Sequence, residues 1–164
     1  YGRLDDVKTA LQQGAPVNFK GKGGFTPLVV AATMGHLDVV QYLAEHGADI
    51  NKRDNIRHKN ALLATSFRSN DDVVAYLLAH GAEVDAQGVN GWTPLHDAAF
   101  VGDYNIVKML VEHGARTDIK NNAGMLALQC AKMGSVRGRE KGWTNATPED
   151  YQKTIQYLQE HTQG

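Results

Sequence analysis

Three histidines, His46, His80 and His113, each stand immediately before a Gly-Ala pair, and a recurring imidazole is the residue type here most able to hold a metal ion. Their spacing argues against it. Stacked helices lie roughly 8–10 Å apart, whereas zinc holds a nitrogen at about 2.0–2.1 Å, so equivalent histidines on neighbouring helices cannot share an ion. At a helix C-terminus an imidazole instead interacts favourably with the helix dipole. His96 follows Thr93-Pro94-Leu95 and could act as a base, but no activated nucleophile accompanies it. Gly21-Lys22-Gly23-Gly24 lacks the Gly-Lys-Ser/Thr end of a phosphate-binding loop and reads as a loop tip. Neither a Gly-x-Ser-x-Gly elbow nor a His-Glu-x-x-His helix occurs. Cys130, between Gln129 and Ala131, reads as a small buried residue. Asn145-Ala146-Thr147 fits a glycosylation triplet, but Pro148 follows it and no charged-then-apolar leader opens the chain. These readings predict no catalytic residue, no metal site and no cofactor.

The elements that carry these residues repeat. Gly35-His36-Leu37-Asp38-Val39-Val40-Gln41-Tyr42-Leu43-Ala44-Glu45-His46-Gly47-Ala48-Asp49 has echoes at Gly2 to Ala15, Ser69 to Glu83 and Gly102 to Arg116. A fixed period of this size marks a solenoid whose units stack to bury one continuous core. Val39, Val40 and Leu43 recur as Val73, Val74 and Leu77, then as Ile106, Val107 and Leu110. That spacing places them on one face of a helix. Pro27 and Pro94 each follow a threonine, so Thr26 and Thr93 are predicted helix caps with proline in the first turn. Gly47, Gly81 and Gly114 fall where a helix ends in the left-handed conformation.

Gly24-Phe25-Thr26-Pro27-Leu28-Val29-Val30-Ala31-Ala32 and Gly91-Trp92-Thr93-Pro94-Leu95-His96-Asp97-Ala98-Ala99 resemble the Gly-x-Thr-Pro-Leu-His-x-Ala-Ala signature of ankyrin repeats. The resemblance covers the whole chain as one domain, 1–164: a partial unit at about 1–19, full units at 20–52, 53–86 and 87–119, and an altered unit at 120–164. It implies an all-α solenoid of stacked helix pairs with short β-hairpin finger loops. It also implies that His96 hydrogen-bonds within its repeat. Asn51, preceded by Asp49 and Leu43, is similar to the asparagine that some ankyrin proteins present to a hydroxylase, although turn preference alone accounts for an asparagine there.

Two units depart from the pattern. In the third, Asn60-Ala61-Leu62 replaces Thr-Pro-Leu, Thr65-Ser66 replaces the alanine pair, and one extra residue falls between Asn51 and Asn60. This unit is expected to be the local weak point, through drift or through a finger reshaped for a ligand. The last unit keeps a first helix, and Thr147-Pro148-Glu149-Asp150 starts its second after an insertion near 135–146.

The resemblance places the partner on a concave face of fingers and first helices. The family's contact positions fall on Phe25, Met34, Lys59, Phe67, Arg68, Trp92, Phe100, Val101, Met125 and Met133, with Arg57 in a basic rim that also holds Lys20, Lys22, Lys52 and Arg53. Exposed apolar positions mark interaction surfaces, and aromatic and arginine residues dominate interface energetics. Packing between units is the competing reading for Phe67 and Phe100, while Trp92 at the fingertip has fewer neighbours to bury it. Arg137, Arg139, Lys141 and Trp143 in the insertion form a secondary candidate. The predicted partner is a protein or peptide with an apolar anchor and acidic flanks.

Composition sets bounds on these readings. With 42% hydrophobic and 21% charged residues the chain can build an ordinary core, and no apolar run is long enough to insert into a membrane. A net charge of -1 lacks the footprint of a nucleic-acid binder. One cysteine excludes an internal disulfide framework and fits an intracellular, cytoplasmic setting, with a secreted effector as the alternative. The Tyr1-Gly2-Arg3 opening reads as a piece of something longer. The expected function is non-enzymatic protein–protein interaction by a monomer. Alternatives are the recruiting arm of a larger enzyme or secreted effector, and a structural spacer that self-associates through a first unit in which Val7 and Leu11 lack a cover.

Overall fold

In the computed structural model, residues 3–138, 140–142 and 144–162 are described. They fall into two compact units, Tyr1–Glu83 and Val84–Gly164. All regular elements among the described residues are helical.

The first unit contains α1 (Leu4–Gln12), α2 (Pro27–Met34), α3 (Leu37–Glu45), α4 (Ala61–Thr65) and α5 (Asp71–Ala79). Thr26 starts α2 as the sequence predicts: its Oγ1 accepts from Val29 N at 3.3 Å, and Pro27 fills the first turn. Gly35 ends the helix at φ 75°, a conformation that glycine adopts without strain. Val39, Val40 and Leu43 of α3 and Val73, Val74 and Leu77 of α5 are all buried. They form the face read from the 0, 1, 4 spacing, and α2 packs against both α3 and α4.

The irregular unit is rebuilt by polar side chains. Asn60 takes the threonine's place, its Oδ1 accepting from Leu63 N at 2.9 Å, and α4 is only five residues long. The extra residue lies in the turn before it. There the buried Asp54 carboxylate accepts from Ile56 N, Arg57 N and Lys59 N at 2.8, 2.6 and 3.1 Å. The hydrogen bond that closes each finger shows the change of register: Gly21 N to Phe25 O, but Asp54 N to Lys59 O. Ser69 sits at φ 54° where other repeats have glycine. Asn70 Nδ2 donates to Ala32 O and to Thr65 Oγ1, each at 3.2 Å.

Asparagines link successive repeats. Asn18 Nδ2 donates to Gly47 O at 3.1 Å and its Oδ1 accepts from Asp49 N at 2.8 Å. Asn51 does the same with Gly81 O at 3.0 Å and Glu83 N at 2.8 Å. A carbonyl at the end of one helix is thereby satisfied from the preceding turn.

The second unit contains α6 (Pro94–Val101), α7 (Tyr104–Glu112), α8 (Ala127–Met133), a π-helical turn Gly134–Gly138 and α9 (Pro148–His161). α6 packs on α7 and α8, and α9 packs on α7 and α8. Its fingers close by Gly88 N to Trp92 O and Asn121 N to Met125 O. The expected β-hairpins are not formed. Each finger makes one or two turn-closing bonds and no strand occurs among the described residues, because four or five residues are too few for a ladder. Thr147 and Asp150 cap α9 reciprocally, as predicted.

His96 joins a capping box to the next finger. Its Nδ1 accepts from Thr93 N and Thr93 Oγ1 at 3.3 and 2.8 Å, and its Nε2–H donates to Met125 O at 3.0 Å. This arrangement uses the neutral imidazole, and burial lowers its pKa below the ordinary value of 6.5.

Three outcomes follow from these contacts. Asn51→Asp keeps the acceptor but loses the donor to Gly81 O, so thermal or urea unfolding will show a loss of about 1–2 kcal/mol. Asn60 Nδ2 is buried without a hydrogen-bond partner, so Asn60→Thr, which keeps the cap and removes the orphan, raises stability by about 1 kcal/mol. His96 is depressed in the folded state, so its stabilising effect is present above the unfolded pKa of about 6.5 and is lost as pH falls from there through the folded value. Acidification from neutral pH will lower the Tm of the native chain more than that of His96→Gln.

Candidate partner-binding face

The side chains with chemical potential are occupied structurally. The Nδ1 atoms of His46, His80, His113 and His161 lie 2.7, 2.8, 2.7 and 2.7 Å from the carbonyls of Tyr42, Tyr76, Met109 and Tyr157, four residues earlier in each case. Each imidazole therefore caps its own helix end. No group of three or more candidate metal ligands occurs among the described residues. Burial first, and then the Asp97 carboxylate, push the Cys130 thiol up to about 12, so the reactive thiolate is disfavoured. Asn51 is engaged on both sides of its carboxamide, consistent with the turn reading.

In the first unit the predicted contact residues are largely accessible. Phe25 is 37% exposed and Met34 62% exposed. Arg57 and Arg68 are exposed, while Lys59 and Phe67 are half-buried. The basic rim is partly committed. Lys20 Nζ donates to Asn55 Oδ1 at 2.8 Å, and Arg53 pairs with Glu83 at 2.7 Å. Two exposed apolar residues escaped the sequence reading: Phe19 at 58% and Ile56 at 59%. Ile56 had a signal, since it is the apolar residue of the turn that gained the extra position.

The second unit differs. Trp92 is half-buried, edge-on to Phe100 with ring centroids 5.7 Å apart, so the fingertip position does find neighbours. Phe100 and Val101 are buried, 6% and 4% exposed, and are not surface residues. The cause is the segment after α8. Tyr151 Oη donates to Phe100 O at 2.8 Å, and Thr144 Oγ1 donates to Val101 O. Met125 and Met133 are half-buried, and Met125 O is held by His96. Arg137 and Lys141 of the secondary candidate are exposed, whereas Arg139 and Trp143 lie outside the described residues. Tyr151 was missed because it occupies the repeat position of Asp103, an N-cap in the preceding repeat. No helix among the described residues is long and apolar enough to cross a membrane.

Comparison with known proteins matches this architecture. The family described as "Ankyrin repeats (3 copies)" matches residues 53–121, and that described as "Ankyrin repeat" matches residues 23–55. The chain is 42% identical over 111 residues to "Ankyrin repeat and SAM domain-containing protein 6" of Mus musculus, covering 68% of this chain and 9% of that protein. It is 31% identical over 144 residues to "Mitochondrial disaggregase" of Bos taurus, covering 81% of this chain and 20% of the relative. It is 30% identical over 124 residues to "Alpha-latrotoxin-Lg1a" of Latrodectus geometricus, covering 74% and 9%. The chain thus spans a fifth or less of the length of each of these relatives. With helix pairs capped at Thr26 and Thr93 and stacked within each unit, an all-α architecture and these matches, the chain belongs to the ankyrin repeat family, whose repeats form protein–protein interaction modules.

Proposed function

We propose that this chain binds a partner peptide or domain, without catalysis and as a monomer, on the face carried by its finger turns and first helices. The observation that carries this reading is in the first unit. Phe25, Met34 and Ile56 stay exposed, as do Arg57 and Arg68 of the same unit. Large apolar side chains left in water mark recognition surfaces, and arginine is enriched where binding energy concentrates. The partner's chemistry follows: an apolar anchor for Phe25 and Met34, with Asp or Glu flanks for the arginines. In the second unit, Trp92, Met125 and Met133 offer partial exposure to the same kind of ligand. The capped turns hold these groups before a partner arrives, which limits the entropy lost on binding.

A second reading, a recruiting arm within a larger protein, is favoured by the small share of each relative that the chain covers. The relatives include a "Mitochondrial disaggregase" and, at 31% identity over 143 residues, a "Putative E3 ubiquitin-protein ligase XBAT34" of Arabidopsis thaliana. The two readings share one binding face.

The test compares the native chain with Arg57→Ala/Arg68→Ala, two exposed substitutions that leave the core intact. Partners captured by the native chain are identified, and their affinities are measured by titration calorimetry at low and high salt. The double variant will bind about 10–100-fold more weakly, and the native affinity will fall with salt. Equal affinity of both chains for every partner would remove this face from the mechanism.

A further inference from the structure

The repeat carries a tyrosine at one position of its second helix, as Tyr42, Tyr76 and Tyr157, and a histidine follows four residues later each time. In each pair the two rings lie against one another, with centroids 3.9, 3.9 and 4.0 Å apart. One position on the second helix of the preceding repeat sets the charge beside the tyrosine. For Tyr42 it is Lys8 of α1, whose Nζ lies over the ring, 5.6 Å from its centroid. For Tyr157 the equivalent residue is Lys108 of α7, which pairs with Glu112 at 3.8 Å. Glu112 is close enough to Tyr157 to add to the effect of burial in raising its pKa. For Tyr76 the equivalent residue is Gln41 of α3, which carries no charge.

The rest of the arrangement is kept at Tyr76. Glu45, one turn after Gln41, has the position of Glu112, and after burial it is the Glu45 carboxylate that pushes the Tyr76 pKa above its ordinary value of 10.0. No cation pairs with Glu45 among the described residues. Gln41, Glu45, Tyr76 and His80 line an open cleft of about 450 Å³, completed by Ala44 and Ile50. His80 Nδ1 lies 2.8 Å from Tyr76 O, and a carbonyl only accepts, so Nδ1 carries the proton and Nε2 of the neutral ring is an acceptor. The cleft therefore gathers a carboxylate, an amide oxygen, an imidazole nitrogen and an aromatic ring, without the lysine that accompanies the other two tyrosines.

We propose that this cleft, on the second-helix side of the first unit, binds an arginine side chain of a partner protein, in the place that Lys8 and Lys108 hold beside Tyr42 and Tyr157. Arginine suits it better than lysine. A planar guanidinium stacks on an aromatic ring, forks toward a carboxylate, and has donors left for Gln41 and His80. The site is independent of the face proposed above, none of whose contact residues lines the cleft, and it selects a ligand of opposite charge.

The probe is the peptide acetyl-Gly-Arg-Gly-amide, titrated into the isotopically labelled chain and followed by amide NMR shifts, with citrulline or lysine replacing arginine as controls. The arginine peptide will shift the amides of Gln41, Glu45, Tyr76 and His80 saturably, with a dissociation constant of about 10 mM or below, the scale of one cation–π contact joined to an exposed ion pair. Citrulline, which keeps the shape and loses the charge, will give no saturable shift, and lysine will bind more weakly than arginine. Gln41→Lys installs at an exposed position the residue of the preceding repeat. It will fill the cleft from within and weaken arginine binding at least about tenfold, while the Tm holds or rises, a combination that loss of structure does not produce. Glu45→Gln will weaken binding about three- to tenfold with an unchanged circular dichroism spectrum. Arg57→Ala/Arg68→Ala will leave it unchanged. Absence of a saturable shift at these amides, equal binding of the arginine and citrulline peptides, a preference for lysine, or a Gln41→Lys chain that binds like the native one would each overturn the proposal.

Discussion

No helix pair in this chain can stand alone, and that constraint organises the rest. The first helices run five to eight residues and most second helices nine, below the length at which an isolated helix is stable in water. Each must therefore be held by tertiary packing. The small residues Ala31, Ala32, Ala98 and Ala99 are all buried, which lets backbones approach closely enough for one helix to cover two neighbours. Close approach fixes the phase of every helix, and the caps at Thr26, Asn60 and Thr93 set that phase at its first residue.

Packing alone leaves helix-terminal carbonyls unsatisfied, and the connections between repeats supply what is missing. Asn18 and Asn51 each use both halves of a carboxamide, donating to a glycine carbonyl and accepting from a backbone N–H of the next repeat. Asp85, one repeat later, only accepts, from Arg116 N at 3.0 Å, because a carboxylate has no donor. Thr117, one residue before the equivalent position Asp118, donates its hydroxyl to His161 O at 3.2 Å. One structural position thus tolerates asparagine and aspartate, each doing the part of the job that its own donors and acceptors allow.

The fold was legible because repetition multiplies a weak local signal. Val39, Val40 and Leu43 alone could suit many helices, but their return in α5 and α7 fixes the buried face of each. The capping reading of Thr26, Thr93 and Thr147 rested on side-chain geometry that depends only on nearby residues, so it needed no tertiary knowledge. The accessibility of the candidate contacts was less legible. Phe100 and Val101 sit in a position that the repeat pattern leaves open, and the side chains that bond their carbonyls come from 51 and 43 residues further along. The fingers fell short of β-hairpins for a local reason, since their closing bonds span only four or five residues. Asp54 was equally hidden: an acidic residue in a loop gives no sign that three backbone N–H groups converge on it.

The two units treat the end of a first helix in opposite ways. In the second unit, α9 is 14 residues long against nine for α7, and its early start carries Tyr151 into the core. The approach is so close that a Cβ on Gly134 would stand 1.9 Å from Phe100 O, and one on Gly102 would stand 2.8 Å from the Tyr151 ring. Glycine at both positions is thus a condition of the seal, which stabilises this unit while removing Phe100 and Val101 from solvent. In the first unit, by contrast, Met34 ends α2 at 62% exposure. A surface kept open in this way loses burial that the second unit gains. Under the proposed binding a ligand would recover it, whereas the burial of Phe100 and Val101 in the second unit is already used in folding.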